Sequence, residues 1–385
     1  MRVFLNPNPL NISAQYSVNM QDVVAFHRML PGYEETPLKS LDELAYKLGI
    51  RRVYVKDEGH RFGLKSFKVL GVSYAVYNLL REKGGGELKP AEFLSARGRE
   101  LADGLTFTCA TDGNHGRALA WIAKLLGRPA KIFMPEYTVP ARIAAIESEG
   151  AEVVVVEGGY NVAVGNASRE GKKKNTMVIA DVGYPGYMEV PWFIQEGYMT
   201  MFWEIQQQLA ANNDSLPDFI FLQAGVGAFA AAAALFFSNP SEGPHLVCVE
   251  PTAADCLFHS AEEGDGQPKT VTHRERTIMA GLNCETPSFT AWPIIRDRFD
   301  VFLNIEDYYA KQAMRILARH GIVAGESGAA GLAALIALFI EKQEYMRMKF
   351  DLSRNISVLL VNTESDTDPA GYEQIVGQKS SDVEI

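Results

Sequence analysis

Cysteine is scarce in these 385 residues: Cys109, Cys248, Cys256 and Cys284 are the whole complement. Thiols so few and so scattered exclude a disulfide-built scaffold and a closed zinc site, and no metal is expected. Positive charge is also in deficit. Asp and Glu number 47 against 37 Lys and Arg, a formal net charge of −10. That balance argues against nucleic acid or an anionic membrane surface as the main partner. Uninterrupted apolar stretches of about 18 residues are missing, so no membrane span is expected. The opening MRVFLNPNPLNISAQ lacks the basic-then-apolar layout of a signal peptide. Internal repeats are absent too. A cytoplasmic enzyme with reduced thiols is the expectation.

What is present is core material. Hydrophobic residues make up 47% of the chain, and its length suggests two lobes rather than one domain. Short apolar runs read as buried strands at 52–55, 106–110, 131–134, 153–156, 177–180, 218–222, 246–249 and 356–361. Helical patterns fall between them, as at 117–126 and 140–148. Alternation of this kind predicts crossover units and mostly parallel sheets, an α/β fold. The strand–helix regularity of 100–181 predicts a small α/β domain over 85–185. A large domain is predicted from 1–84 and 186–385, with linkers at 81–86 and 262–269, where glycine and charge cluster.

Three constellations carry chemistry. The first is Gly63-Leu64-Lys65-Ser66-Phe67-Lys68-Val69-Leu70-Gly71. Ser66 suits a helix N-cap, which puts Lys68 in the first turn, near the positive end of the helix dipole. There Lys68 is either a nucleophile for a carbonyl, with its ammonium form disfavoured, or a lysine solvated on a helix surface. The second is Thr111-Asp112-Gly113-Asn114-His115-Gly116-Arg117, a polar turn between a β-rich run and a helix. Backbone N–H groups at such a helix start can hold a phosphate or a carboxylate. Asp112 would repel that anion unless it faces elsewhere, which favours a catalytic base. His115 reads more readily as a hydrogen-bonder at the helix start than as a ligand. The third, Gln223-Ala224-Gly225-Val226-Gly227-Ala228, follows a strand and opens an Ala-rich helix. The third glycine of a dinucleotide fingerprint is lacking, so a phosphate cup is favoured over a nicotinamide site.

In this order the three pieces resemble the fold-type II pyridoxal-phosphate enzymes, the tryptophan synthase β-like family. Further motifs are similar to the diaminopropionate ammonia-lyase group within it: Asn6-Pro7-Asn8, Ala180-Asp181 with Gly186-Tyr187, Thr277 to Leu282, Ala324 to Gly328, and Asn362 to Pro369. The resemblance spans essentially the whole chain. It implies two lobes with the cofactor, pyridoxal 5′-phosphate, between them. Lys68 is implied as the Schiff-base lysine, Asn114 as a partner of the cofactor's 3-oxygen, and Gly225, Val226, Gly227 and Ala228 as the phosphate cup. Thr363 would meet the pyridine nitrogen, and Thr111, Gly113 and His115 would meet the substrate carboxylate. Asp112 and Asp181 are implied as acid/base residues on opposite faces of the substrate.

The activity so implied is elimination of ammonia from 2,3-diaminopropionate, giving pyruvate and ammonia. The alternative is β-elimination or β-replacement on another small amino acid. A homodimer is expected by resemblance alone, and the same resemblance offers a Cys256–Cys284 disulfide, against which reducing conditions favour two unpaired thiols in separate pockets. The chain departs from its relatives at Lys65, Val72, Ala228 and Ser365, where the cup loses a hydroxyl and the Lys68 loop gains a cation.

Overall fold

The computed structural model describes residues 1–272, 275–341 and 355–384. Among them run the strands β1 (Arg2–Leu5), β2 (Leu38–Ser40), β3 (Arg52–Asp57), β4 (Thr106–Ala110), β5 (Ala130–Pro135), β6 (Glu152–Val156), β7 (Thr176–Val178), β8 (Phe219–Gln223), β9 (His245–Pro251), β10 (Val301–Ile305) and β11 (Ser357–Asn362). They form a seven-stranded sheet, β1-β10-β9-β8-β11-β3-β2, and a four-stranded sheet, β6-β5-β4-β7. Every pairing is parallel except those of the edge strands β1 and β2. Central strands of a parallel sheet are covered on both faces, which is why β8 and β11 are buried along their length and read as plain apolar runs. On the larger sheet, Phe221, Val249, Leu303 and Leu360 join Leu332, Ala333 and Leu335 of the helix Ala330–Glu341 in one core.

All eight expected strands form, each within a residue or two of its expected position. Three others escaped the sequence reading: β1, β2 and β10. The two edge strands are four and three residues long. Strands so short have no alternation to read, and only pairing with a neighbour makes them.

The chain divides into two compact units, Met1–Val18 with Glu35–His60 and Met201–Ile385, and Asn19–Glu34 with Arg61–Thr200. The second unit is wider than the expected 85–185 and includes Lys68. The reason is helix packing. A Cβ on Gly197 would lie 2.5 Å from the Leu70 carbonyl oxygen and 2.9 Å from Gly71 Cα, and one on Gly71 would lie 2.5 Å from Tyr198. The helix Lys68–Lys83 is therefore pressed against the helix Glu189–Ala211 at two glycines, and that contact binds it to this unit. Arg81 to Lys83, expected in a linker, complete the Lys68–Lys83 helix instead. Because the Gly197 contact is with backbone, Gly197→Ala should destabilise the fold by at least about 2 kcal/mol, read from urea unfolding.

Candidate active site

Lys68 is the first residue of its helix. The cap position belongs to Phe67 rather than Ser66, whose hydroxyl still accepts from the Lys68 N–H at 3.4 Å. The loop before it is strained: Phe62, Gly63 and Lys65 all have positive φ, at 51°, 68° and 61°. Non-glycine residues held in that region cost energy and gather at functional sites. Lys68 Nζ lies 2.7 Å from Asp181 Oδ2 in an ion pair with both side chains mostly buried. Burial alone would raise the Asp181 carboxyl. The Lys68 charge, above all, and the Lys68 hydrogen bond override it and hold the group at about 2. The result is a carboxylate, ionised and nearly dry.

His115 is the third member. Its Nε2 donates to the Ile179 carbonyl at 2.7 Å, which leaves Nδ1 as the bare nitrogen of the neutral ring, 3.9 Å from Asp181 Oδ2. Burial, together with the Lys68 charge, lowers the His115 value although Asp181 opposes it. His115, the second residue of its helix, thus bonds to the Ile179 carbonyl and faces Asp181.

The turn after β4 is built around Thr111. Its buried hydroxyl accepts from the N–H groups of Gly113 and Gly116 at 2.9 and 3.2 Å, and the helix Asn114–Leu126 starts there. Asp112 is half-buried between the strand end and this helix, and Asn114 is its first residue. A Cβ at Gly113 would meet the aliphatic stem of Arg142 at 3.0 to 3.4 Å, so only glycine fits. Arg142, on the helix Pro140–Glu147, went unread because nothing in its neighbours marks it.

Asp181 is positioned by a residue quoted above only as part of a motif. Tyr187 Oη donates to the Val178 carbonyl at 2.9 Å and accepts from the Ala180 N–H at 3.0 Å, while its ring stacks on Tyr184 at 5.2 Å. The end of β7 is thereby clamped one residue before Asp181. Tyr187→Phe should cost about 1–3 kcal/mol, read by urea unfolding, because the carbonyl and amide lose their partner. Faster hydrogen exchange at the Ala180 amide would accompany it.

The second set of residues lies in the other unit. Gly227, at φ +97°, caps the helix Ala228–Phe236 without any side-chain cap, so no capping side chain competes with an anion for the first N–H groups of that helix. A Cβ at Gly225 would come within 2.9 Å of Cys284 Sγ and 3.1 Å of the Gly281 carbonyl, and one at Gly227 within 2.6 Å of Ile295. Gln223 organises the neighbourhood. Its Nε2 lies within 2.9 to 3.3 Å of the Ser327, Gly328 and Val361 carbonyls and of Thr363 Oγ1. Thr363 is buried. Gly328 and Gly325 fit under Glu364 because a Cβ at either would strike it or its backbone, which explains two of the motifs as packing. Of the two alternatives for Cys256 and Cys284, the structure has no disulfide between them; Cys256 Sγ lies 4.0 Å from the Gly225 carbonyl. Burial pushes the Cys256 thiol up, reinforced by Glu250 and Cys284, so the protonated and unbonded form is favoured.

Residues 29–347 match the family described as pyridoxal-phosphate dependent enzyme. The chain belongs to that family. The pyridoxal-phosphate enzymes similar to it include a diaminopropionate ammonia-lyase of Salmonella typhimurium, 40% identical over 368 residues, 92% of this chain and 91% of the relative. Among solved structures, diaminopropionate ammonia lyase from Escherichia coli in complex with D-serine superposes with a TM-score of 0.87 at 34% identity, covering 97% of this chain and 96% of the other. The same enzyme with an aminoacrylate-PLP azomethine reaction intermediate gives 0.85 at 33%, with the same coverage. The fold is that of the fold-type II enzymes, and pyridoxal phosphate is the cofactor. The residues here fit it. The loop's glycines are packed so closely against Cys284, Gly281 and Ile295 that no side chain fits there, which leaves bare backbone next to an uncapped helix start, and Lys68 is an amine at a helix start with an ionised carboxylate beside it. Among the described residues no helix is long and apolar enough to cross a membrane, and no group of three His, Cys, Asp or Glu could hold a metal.

Proposed function

We propose that this chain is a diaminopropionate ammonia-lyase, removing ammonia from 2,3-diaminopropionate and releasing pyruvate and ammonia. The likeness to such lyases along nine-tenths of the chain carries the reading. The ionised Asp181 on the Lys68 amine supports it, because a carboxylate in a nearly dry site is also a partner for a substrate with a second ammonium group.

Lys68 Nζ would hold the cofactor's aldehyde carbon, Gly225 to Ala228 its phosphate, Asn114 its 3-oxygen, and Thr363 its pyridine nitrogen. When bound, the cofactor supplies an electron sink that acidifies the substrate Cα–H. The protein supplies the rest. The turn Thr111 to His115 would seat the substrate carboxylate. Asp181 takes the Cα proton on one face and Asp112 on the other, and the β-ammonium group, already protonated, departs as ammonia as the Cα–Cβ double bond forms. A hydroxyl at Thr363, rather than a carboxylate, leaves the pyridine nitrogen unprotonated, which favours elimination over transamination.

Pyruvate and ammonia release should be assayed with D- and L-2,3-diaminopropionate against serine and threonine. The diamine should turn over fastest. Faster turnover of serine or threonine would instead support β-elimination or β-replacement on another small amino acid, a reading kept open by the relative that holds D-serine and by the missing hydroxyl at Ala228. A cytoplasmic homodimer completes the proposal; light scattering on the purified protein tests the dimer.

A further inference from the structure

Tyr198 has no exposed surface, and its hydroxyl finds no hydrogen-bond partner among the described residues. An unmet buried hydroxyl costs about 1–3 kcal/mol, so packing alone would be better served by phenylalanine. The ring has little freedom. It lies over Gly71, where no Cβ could stand, and against Phe67 with ring centroids 4.6 Å apart. Lys68 Nζ is 5.9 Å from the centre of the ring. Burial pushes the phenol up and the Asp181 charge adds to it, while the Lys68 charge and the approach of the Lys68 amine to the hydroxyl pull it down; burial prevails, so the phenol keeps its proton and remains a donor. The other titratable groups around the pair are Asp181 after β7, His115 on the helix Asn114–Leu126, and Cys109 on β4, whose thiol burial and Asp181 push up.

We propose that the Tyr198 hydroxyl is a second polar partner of the Lys68 amine, a positioning residue that donates to the neutral amine when Asp181 is engaged elsewhere. The inference rests on Lys68 being the cofactor's lysine. Asp181 and Tyr198 then pull the amine in opposite directions. The carboxylate favours the ammonium, and a donated O–H favours the free amine, whose lone pair it needs.

The test uses full-length apoprotein mixed with pyridoxal phosphate over a range of pH, following the visible band that forms as the cofactor is captured. Tyr198→Phe should move the midpoint of capture to higher pH, and Asp181→Asn should move it to lower pH, each by on the order of one unit. In the reconstituted enzyme Tyr198→Phe should lower kcat about tenfold with KM little changed. The unfolding midpoint should hold or rise, since no hydrogen bond is lost. A Tyr198→Phe midpoint equal to the native one, or lower, overturns the proposal. A visible band that survives Lys68→Ala overturns the lysine assignment, and this inference with it.

Discussion

Lys68→Ala abolishes the visible band formed with pyridoxal phosphate and lowers pyruvate formation by about a thousandfold or more, while Lys65→Ala keeps both. The two lysines are three residues apart, and their settings differ in kind. Lys65 sits in the strained loop at φ 61°. Lys68 begins a helix, carries its amine to within 2.7 Å of Asp181, and is backed by Phe67 and Tyr198. A nucleophile needs a fixed amine and a nearby group to manage its proton. Lys68 has both. Absorbance scans of the two variants decide the matter, and a band that survives Lys68→Ala removes the site assignment altogether.

Asp112→Asn and Asp181→Asn lose activity unequally toward the two enantiomers of diaminopropionate, each by roughly a hundredfold or more for the hand it serves. Asparagine keeps the shape and removes the base. Asp181 sits beyond β7 against Lys68 and His115, whereas Asp112 sits in the turn after β4. Their separate strands give two distinct approaches to a substrate carbon. Equal losses for both hands in the two variants would exclude separate bases. The acid limit should also follow Asp181. Its folded value is depressed below the ordinary 3.8 to about 2, so the stability it contributes is complete above pH ~4 and is lost as pH falls toward 2. In Asp181→Asn that portion of the acid unfolding should vanish, which circular dichroism against pH would show.

The parts that could be read from the chain were local. Thr106 to Ala110 is a β-branched and apolar run, and the residues after it are a polar turn and a helix start, so both the strand and the turn are visible in sequence order. The glycine loop at 225–227 was visible for the same reason. Lys68 was picked out by its place at a helix opening, though the cap proved to be one residue later than Ser66. The residues that serve these from a distance carried no such mark. Tyr187 reaches back nine residues to the Val178 carbonyl, Gln223 reaches forward 140 residues to Thr363, and Arg142 lies over Gly113 from another helix.

The sequence by itself determined the strand and helix alternation, Lys68 at a helix opening, and the polar turn and glycine loop that follow β4 and β8, because each depends on neighbours along the chain. Tertiary structure alone decided that Lys68 faces Asp181, that the Lys68 helix belongs with the four-stranded sheet, that the cysteines stay unbonded, and that Tyr198 hides a hydroxyl without a partner. The physical reason is close packing. Gly71 and Gly197 bring two helices together at residues more than a hundred positions apart, and no local pattern of charge or apolar spacing encodes which two glycines will meet.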